Sequence, residues 1–116
     1  MVLPKALVFF DLDGTLLNNK SEVDQEVTLA LEKLKENGGV PFIATGRSPL
    51  EIQHVLNTTP IESFITLNGQ YIMYEGREIY RSQMPKELLI RLKEAADDLD
   101  LAVSFYTSDK IRVTYT

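Results

Sequence analysis

The chain has 116 residues, and 44% of them are hydrophobic, which is enough for one domain with a packed core. Its 17 acidic and 12 basic residues give a net charge of −5, which argues against a nucleic-acid partner, because binding to a phosphate backbone needs a basic surface. The chain contains no cysteine, so disulfide bonds, thiolate catalysis and thiolate metal sites are excluded.

The N-terminal sequence MVLPKALVFF contains a short apolar run that is followed at once by aspartates. A secretory signal would continue to a cleavage site with small residues, and a membrane span needs roughly 18 apolar residues. We therefore expect a cytoplasmic protein that associates with neither membranes nor nucleic acid.

Short apolar runs alternate with amphipathic stretches as far as Gly69. Three of the runs predict strands, and the first is apolar enough to be buried on both faces. Ser21 is the predicted N-cap of a first helix that ends at the turn 37–39, and Ser48 followed by Pro49 predicts the start of a second helix. The predicted strands cover residues 5–10, 40–44 and 61–67.

This alternation of strands and helices with short connections predicts an α/β fold. We expect part of a doubly wound, Rossmann-like parallel sheet in a three-layer core. After Gly69 the pattern predicts a hairpin (71–74 and 78–81), an amphipathic helix (86–99) and a second hairpin (101–107 and 110–115). We place a domain boundary after residue 82, between a core of residues 1–82 and a small α+β unit of residues 83–116.

The carboxyl ends of the three predicted strands carry polar residues and glycines. The strands end at Asp11 and Asp13, at Thr45-Gly46, and at Asn68-Gly69. Ligands of open parallel sheets bind beyond the carboxyl ends of the strands. We therefore expect these three groups to meet at one rim of the sheet.

The residue types at this rim are suited to phosphoryl transfer. Asp11 is a candidate nucleophile that would form an aspartyl-phosphate, and Mg²⁺ would offset the repulsion between the two anions. Asp13 is placed to exchange a proton with the leaving oxygen and with water. Gly14 permits the sharp turn, and the Thr45 hydroxyl with the Gly46 N–H offers donors to phosphate oxygens.

Two motifs at this rim resemble those of a known superfamily. DLDGTLL after an apolar strand resembles the first motif of the haloacid dehalogenase-like phosphatases, and ATGR resembles their second motif. The order of ATGRS, LNGQYIM, a hairpin and an α+β unit is similar to the Cof-type sugar-phosphatase branch, in which a cap domain is inserted into the core. The resemblance covers essentially the whole chain.

The resemblance implies a role for each matching residue. Asp11 would be the nucleophile, Asp13 the general acid and base, and Asp11 with the Asp13 carbonyl would bind Mg²⁺. The residues implied in phosphate or substrate binding are Leu12 through its N–H, Thr45, Gly46, Arg47, Asn68 and Gly69.

The same branch also uses a lysine and a later acidic motif that follow the cap. Residues 83–116 resemble the start of a cap, so we expect the chain to be the N-terminal portion of a longer enzyme. That enzyme would be a Mg²⁺-dependent phosphatase of small phosphorylated metabolites such as sugar phosphates. We expect the 116 residues alone to be inactive or impaired, because electrostatic stabilisation is usually the largest catalytic contribution.

Other interpretations of the same residues stay open. Asp11 and Asp13, Thr45-Gly46, and Asn68-Gly69 are also ordinary turn residues. The chain as a whole is alternatively a non-catalytic module that self-associates through an exposed sheet edge. A receiver-like phospho-acceptor agrees less well with the sequence, because the third predicted strand does not end at an aspartate.

Overall fold

The computed structural model describes residues 3–109 and 111–114. Within them the α-helices are α1 (Gln25–Glu36), α2 (Gln53–Thr58) and α3 (Lys86–Asp98). The strands are β1 (Ala6–Phe10), β2 (Gly39–Ala44), β3 (Ser63–Thr66), β4 (Tyr71–Tyr74), β5 (Arg77–Arg81), β6 (Val103–Tyr106) and β7 (Ile111–Thr114). The predicted α/β class is confirmed.

Five strands form one sheet in the order β1–β2–β3–β4–β5. The pairs β1–β2 and β2–β3 are parallel, as predicted, whereas β3–β4 and β4–β5 are antiparallel. A single turn over Leu67–Gly69 joins β3 to β4, and so short a connection permits only an antiparallel pair. The sheet is therefore mixed, with a parallel half that carries the predicted rim.

The core lies between this sheet and helices α1 and α2. Ile43 and Phe64 of the sheet pack in one cluster with Leu31 of α1 and Val55 of α2, and all four side chains are buried. Leu12, in the loop after β1, is fully buried in the same cluster. Burial of each such side chain stabilises the fold by about 1.5–3 kcal/mol, so this cluster holds the strand ends in place.

The opposite face of the sheet carries a second apolar row that includes Leu7, Phe9, Phe42 and Tyr74. The ring centroids of Phe9 and Phe42 are 4.8 Å apart, and those of Phe42 and Tyr74 are 5.9 Å apart. Leu7 and Phe9 are 47% and 51% exposed. The prediction that β1 is buried on both faces is therefore wrong, because α1 and α2 pack on the other face and β1 is an edge strand.

The predicted N-cap of α1 is also wrong. The helix begins at Gln25, after Asp24, and Ser21 has a positive φ of 60°. The side-chain oxygen of Asn18 accepts hydrogen bonds from the backbone N–H groups of Lys20 (2.8 Å) and Glu22 (3.1 Å). These bonds hold the segment before the helix in a turn, which delays the helix start.

The second helix begins near Ser48 as predicted, but its first turn is a 3₁₀ turn over Pro49–Ile52 that continues into α2. The backbone N–H and the hydroxyl of Ser48 both donate to Glu51 Oε1, at 3.0 Å and 2.9 Å. The helix after the ATGR segment is thus short and anchored by a side-chain cap.

The C-terminal elements follow the predicted order. β4 and β5 form the first hairpin, and its two turn residues, Glu75 and Gly76, both have positive φ. α3 confirms the predicted helix, although none of its side chains is buried. β6 and β7 pair as the second hairpin, whereas Lys110 and Tyr115 of that prediction lie outside the described residues.

None of the helices within residues 3–109 and 111–114 combines the length and the hydropathy that a membrane span requires. The domain boundary after residue 82 stays a prediction.

Candidate active site at the carboxyl ends of the parallel strands

Asp11 is the first residue after β1 and is exposed to solvent. The chain then turns sharply over Leu12–Leu16, with Gly14 at a φ of 80°. Leu12 and Leu16 are buried beneath the turn, so their burial presents the residues between them at the surface. Asp11 Oδ1 accepts a hydrogen bond of 2.9 Å from the Leu12 N–H, a group that the resemblance assigns to phosphate binding.

Asp13 lies at the top of this turn, and its side chain is 66% exposed. Its Oδ1 atom accepts a charge-assisted hydrogen bond of 2.6 Å from Arg47 Nη2. Arg47 belongs to the loop after β2, so the ion pair connects two loops of the rim.

Thr45 and Gly46 follow β2 directly. The Thr45 N–H donates to the Ile65 carbonyl at 2.9 Å, which fixes this loop to β3. Thr45 Oγ1 accepts a hydrogen bond of 3.1 Å from the Arg47 N–H. Because a hydroxyl both accepts and donates, this contact leaves the Thr45 proton for a further acceptor.

Asn68 follows β3 and rests against the loop after β2. The N–H of Leu67 donates to the Arg47 carbonyl at 3.0 Å, and the N–H of Asn68 donates to the Thr45 carbonyl at 3.3 Å. Leu67 and Asn68 both have positive φ, of 51° and 54°, which is uncommon for residues other than glycine. This backbone places the Asn68 carboxamide so close to Gly46 that a Cβ at Gly46 would lie 3.0 Å from Asn68 Oδ1.

The structure thus brings together the loops that carry Asp11 and Asp13, Thr45 to Arg47, and Asn68. Three features at this rim are absent from the sequence reasoning: the Arg47–Asp13 ion pair, the Asp11–Leu12 hydrogen bond, and the left-handed backbone of Leu67 and Asn68. The position of Arg47 after a strand end was the available signal for the ion pair. For the left-handed Leu67 the sequence has no signal, because leucine rarely adopts this conformation.

A cavity of about 610 Å³ opens beside the rim. Gly46 and Asn68 line it on the rim side, Tyr71 and Arg81 line it from the β4–β5 hairpin, and Phe105 lines it from β6. A cavity of this volume accommodates a small metabolite.

Arg81 carries a positive charge at the wall of this cavity. It donates to Glu78 Oε1 through Nη2 at 2.6 Å and through Nε at 3.2 Å, and its guanidinium lies 5.2 Å from the centroid of the Tyr71 ring. The hydrogen bond from Arg81 lowers the pKa of the Glu78 carboxyl group. Burial, and then the neighbouring Glu78, raise the pKa of the Tyr71 hydroxyl group. The charge of Arg81 is therefore largely balanced by Glu78.

A model of the haloacid dehalogenase-like hydrolase family matches residues 8–116. The chain belongs to this family. The resemblance read from DLDGTLL and ATGR is therefore confirmed.

Two similar proteins are named as phosphatases. YkrA of Bacillus subtilis (strain 168) is 33% identical over 108 residues, which are 93% of this chain and 42% of YkrA. The HMP-PP phosphatase of Klebsiella pneumoniae (strain 342) is 39% identical over 83 residues, 70% of this chain and 30% of that protein.

Solved structures of the family share the fold. A hypothetical protein from Geobacillus kaustophilus HTA426 is 36% identical with a TM-score of 0.85, over 92% of this chain and 42% of that one. The HAD subclass IIB sugar phosphatase BT4131 is 30% identical with a TM-score of 0.72, over 92% of this chain and 42% of BT4131. The hydrolase chain described here thus spans less than half the length of these relatives.

Magnesium is the metal that this family resemblance implies. Asp11 and Asp13 supply carboxylate and carbonyl oxygens, the donors that Mg²⁺ prefers. Among residues 3–109 and 111–114, no group of three His, Cys, Asp or Glu side chains is placed to hold a metal ion. The donors present therefore fit one side of a magnesium site, and water or further groups would complete it.

Proposed function

We propose that this chain carries the nucleophile and the general acid and base of a Mg²⁺-dependent phosphomonoesterase. The observation that carries the proposal is the placement of two exposed aspartates, Asp11 and Asp13, beside the Thr45–Gly46 loop at the carboxyl ends of parallel strands. Membership of a hydrolase family with phosphatase relatives supports it.

In the first step an Asp11 oxygen attacks phosphorus, and the bond from phosphorus to the ester oxygen breaks. The leaving oxygen takes a proton from Asp13, which becomes a carboxylate. In the second step Asp13 takes a proton from water, the resulting oxygen attacks the aspartyl-phosphate, and Asp11 and inorganic phosphate are released. A bound Mg²⁺ would supply a positive charge that offsets the repulsion between Asp11 and the phosphoryl oxygens.

The other residues of the rim would bind the phosphoryl group and its neighbourhood. The Thr45 hydroxyl and the Gly46 N–H would donate to phosphoryl oxygens, and Asp11 Oδ2 would attack, because Oδ1 is bonded to Leu12. The Leu12 N–H already donates to Asp11 Oδ1. It would bind phosphate only if this hydrogen bond became bifurcated or broke. Asn68 lines the cavity that would receive the leaving group, and Gly69, the next residue, would contribute to substrate binding beside it.

We propose small phosphorylated metabolites, such as sugar phosphates, as substrates. The name of BT4131 as a sugar phosphatase and the cavity of about 610 Å³ beside the rim support this class. We also propose that the 116 residues alone are impaired, because the lysine and later acidic motif implied by the family resemblance are not matched within them. A cytoplasmic location and the lack of a nucleic-acid partner stay predictions, the first from the N-terminal sequence and the second from the net charge of −5.

The test is hydrolysis of p-nitrophenyl phosphate and of a panel of sugar phosphates, with and without Mg²⁺. Asp11→Asn removes the attacking carboxylate and should abolish turnover in any active form of the protein, whether this chain or a form extended downstream. Asp98→Asn in α3 is the matched control and should leave turnover unchanged. Hydrolysis that persists at the same rate in Asp11→Asn would refute the proposed mechanism.

We propose self-association as a second function, independent of catalysis. In the part of the chain that the structure describes, β1 pairs with β2 on one side only, and Ala6–Phe10 contains no charged residue. Leu7 and Phe9 of the same strand are about half exposed. An uncharged, unpaired edge beside exposed apolar side chains recruits further strands.

A further inference from the structure

Arg47 carries a charge at the rim whose role the proposed phosphatase reaction leaves open. Its guanidinium donates to the Asp13 carboxylate through Nη2 at 2.6 Å, so one of its five N–H groups is engaged by a protein group. The side chain of Arg47 is 30% exposed, whereas that of Asp13 is 66% exposed.

The backbone of Arg47 is fixed on both sides. Its N–H donates to Thr45 Oγ1 at 3.1 Å, and its carbonyl accepts from the Leu67 N–H at 3.0 Å. The guanidinium therefore extends from a loop that is bonded to Thr45, the first residue after β2, and to Leu67, the first residue after β3.

Asp13 has much less support of its own. It lies outside helical geometry at the top of an exposed turn, next to Gly14, where a Cβ would meet nothing within 4 Å. A carboxylate in such surroundings samples several rotamers unless a partner fixes it. Arg47 is the better-anchored member of the pair, so Arg47 orients the Asp13 carboxylate and not the reverse.

We propose that Arg47 is a positioning residue that acts through Asp13 and holds its carboxylate in one orientation for proton transfer. This inference rests on the proposed function for the meaning of that orientation, but the orientation itself can be measured separately. It differs from direct phosphate binding, in which Arg47 would contact the phosphoryl oxygens and affect all substrates alike.

The first measurement is the pair of Hα–Hβ scalar couplings of Asp13, recorded by NMR on this chain. One rotamer gives either one large and one small coupling or two small couplings, whereas free rotation gives two similar couplings of intermediate size. We expect the couplings of one rotamer in the native chain, two intermediate couplings in Arg47→Gln, and a result between these in Arg47→Lys, which keeps the charge but not the planar fork. Arg91→Gln in α3 is the control and should change nothing. Two intermediate couplings in the native chain, or the couplings of one rotamer that survive in Arg47→Gln, would overturn the inference.

The second measurement compares two substrates in whichever form of the protein shows Asp11-dependent hydrolysis. An alkyl phosphate has a poor leaving group that needs a proton, whereas p-nitrophenolate leaves without one. We expect Arg47→Gln to lower kcat/KM about tenfold more for the alkyl phosphate, as a part of the 10²–10⁴ that acid–base catalysis contributes. When Asp13→Asn is already present, adding Arg47→Gln should no longer lower kcat/KM more for the alkyl phosphate than for p-nitrophenyl phosphate. Arg47→Gln alone should leave the inhibition by inorganic phosphate as it is in the native protein.

The outcomes separate the two proposals. Equal losses for both substrates with weaker inhibition by inorganic phosphate would show that Arg47 binds the phosphoryl group, which overturns the inference but not the proposed function. Activity that is insensitive to Asp11→Asn would refute the proposed function, whereas the Asp13 couplings would still decide whether Arg47 positions the carboxylate.

Discussion

Gly46 sits where two loops of the rim come closest. A methyl group there would lie 3.0 Å from Asn68 Oδ1, closer than ordinary van der Waals contact, so a larger residue must displace the Asn68 carboxamide. Asn68 itself is held by its left-handed backbone and by its N–H bond to Thr45. Glycine at this position therefore permits the observed approach of the two loops.

We expect Gly46→Ala to displace the Asn68 side chain and to lower the free energy of unfolding by about 1 kcal/mol, the low end for overpacking. The displacement is measured from the side-chain NH₂ signals of Asn68 in ¹H–¹⁵N spectra. Shortening the opposing side chain with Asn68→Ser should recover the stability lost in Gly46→Ala. Unmoved Asn68 signals in Gly46→Ala would contradict the close contact.

Glu78 gives a second residue-level prediction, which concerns pH. Its hydrogen bond from Arg81 lowers the pKa of the folded-state carboxyl below the ordinary value of 4.5. The stability that this pair contributes is therefore present above pH 4.5 and is lost as the pH falls through the lowered pKa. We expect the difference in unfolding free energy between the native chain and Glu78→Gln to be constant from pH 6 to 8 and to shrink below about pH 4.5.

Urea unfolding across this pH range measures the difference, and Glu87→Gln in α3 is a control without that pair. A difference that grows on acidification would contradict the cause given for the lowered pKa.

Most residues of the candidate site were predictable because strand ends can be read from the sequence. Asp11, Asp13 and Thr45 each follow an apolar strand, and parallel strands place such residues at one rim. The position of Arg47 after a strand end placed it at the same rim as Asp13, but the contact itself depends on the rotamers of two residues that are distant in sequence. The roles of the candidate site residues in catalysis and binding stay predictions.

At the scale of the elements, apolar periodicity predicted the strands, the hairpins and α3 but not all of the boundaries. The start of α1 was missed because Asn18 uses its side chain to hold a turn that the helical pattern does not reveal. The mixed character of the sheet depends on one short turn after β3. The solvent exposure of one face of β1 was not predicted, because a run of apolar residues indicates an apolar strand but not which neighbouring elements cover it.

α3 illustrates the same limit in another way. Its amphipathic pattern predicted a helix correctly, yet none of its side chains is buried in the described residues. Helices shorter than about 12–15 residues are marginal in water without packing. The pattern alone therefore fixes the type of element and not its environment.

At the scale of the whole molecule, the chain is elongated. Its radius of gyration is 17.1 Å, compared with about 13 Å for a compact domain of this length. Much apolar surface therefore faces solvent, including the row with Leu7 and Phe9 next to the edge of β1.

We expect this edge to form dimers or larger assemblies, which size-exclusion chromatography with light scattering measures directly. Leu7→Lys places a charge on β1 and should shift the chain towards monomer, since charges on edge strands oppose pairing. Ile79→Lys, on the opposite edge strand β5, is the matched control because Ile79 is also exposed. A native chain that runs as a clean monomer at all concentrations would contradict self-association through β1.

The register of the five-stranded sheet also has a consequence for the order of folding. Met73 pairs with Glu78 and Phe64 pairs with Met73, so the β3–β4–β5 meander closes through nearby residues. Ala6 pairs with Gly39, so β1 is synthesised before β2 and has no partner in the sheet until β2 is available. Local pairings form faster than distant ones. When the whole chain refolds, we therefore expect the strand that precedes the candidate nucleophile to pair later than the meander and to stay accessible to other chains until then.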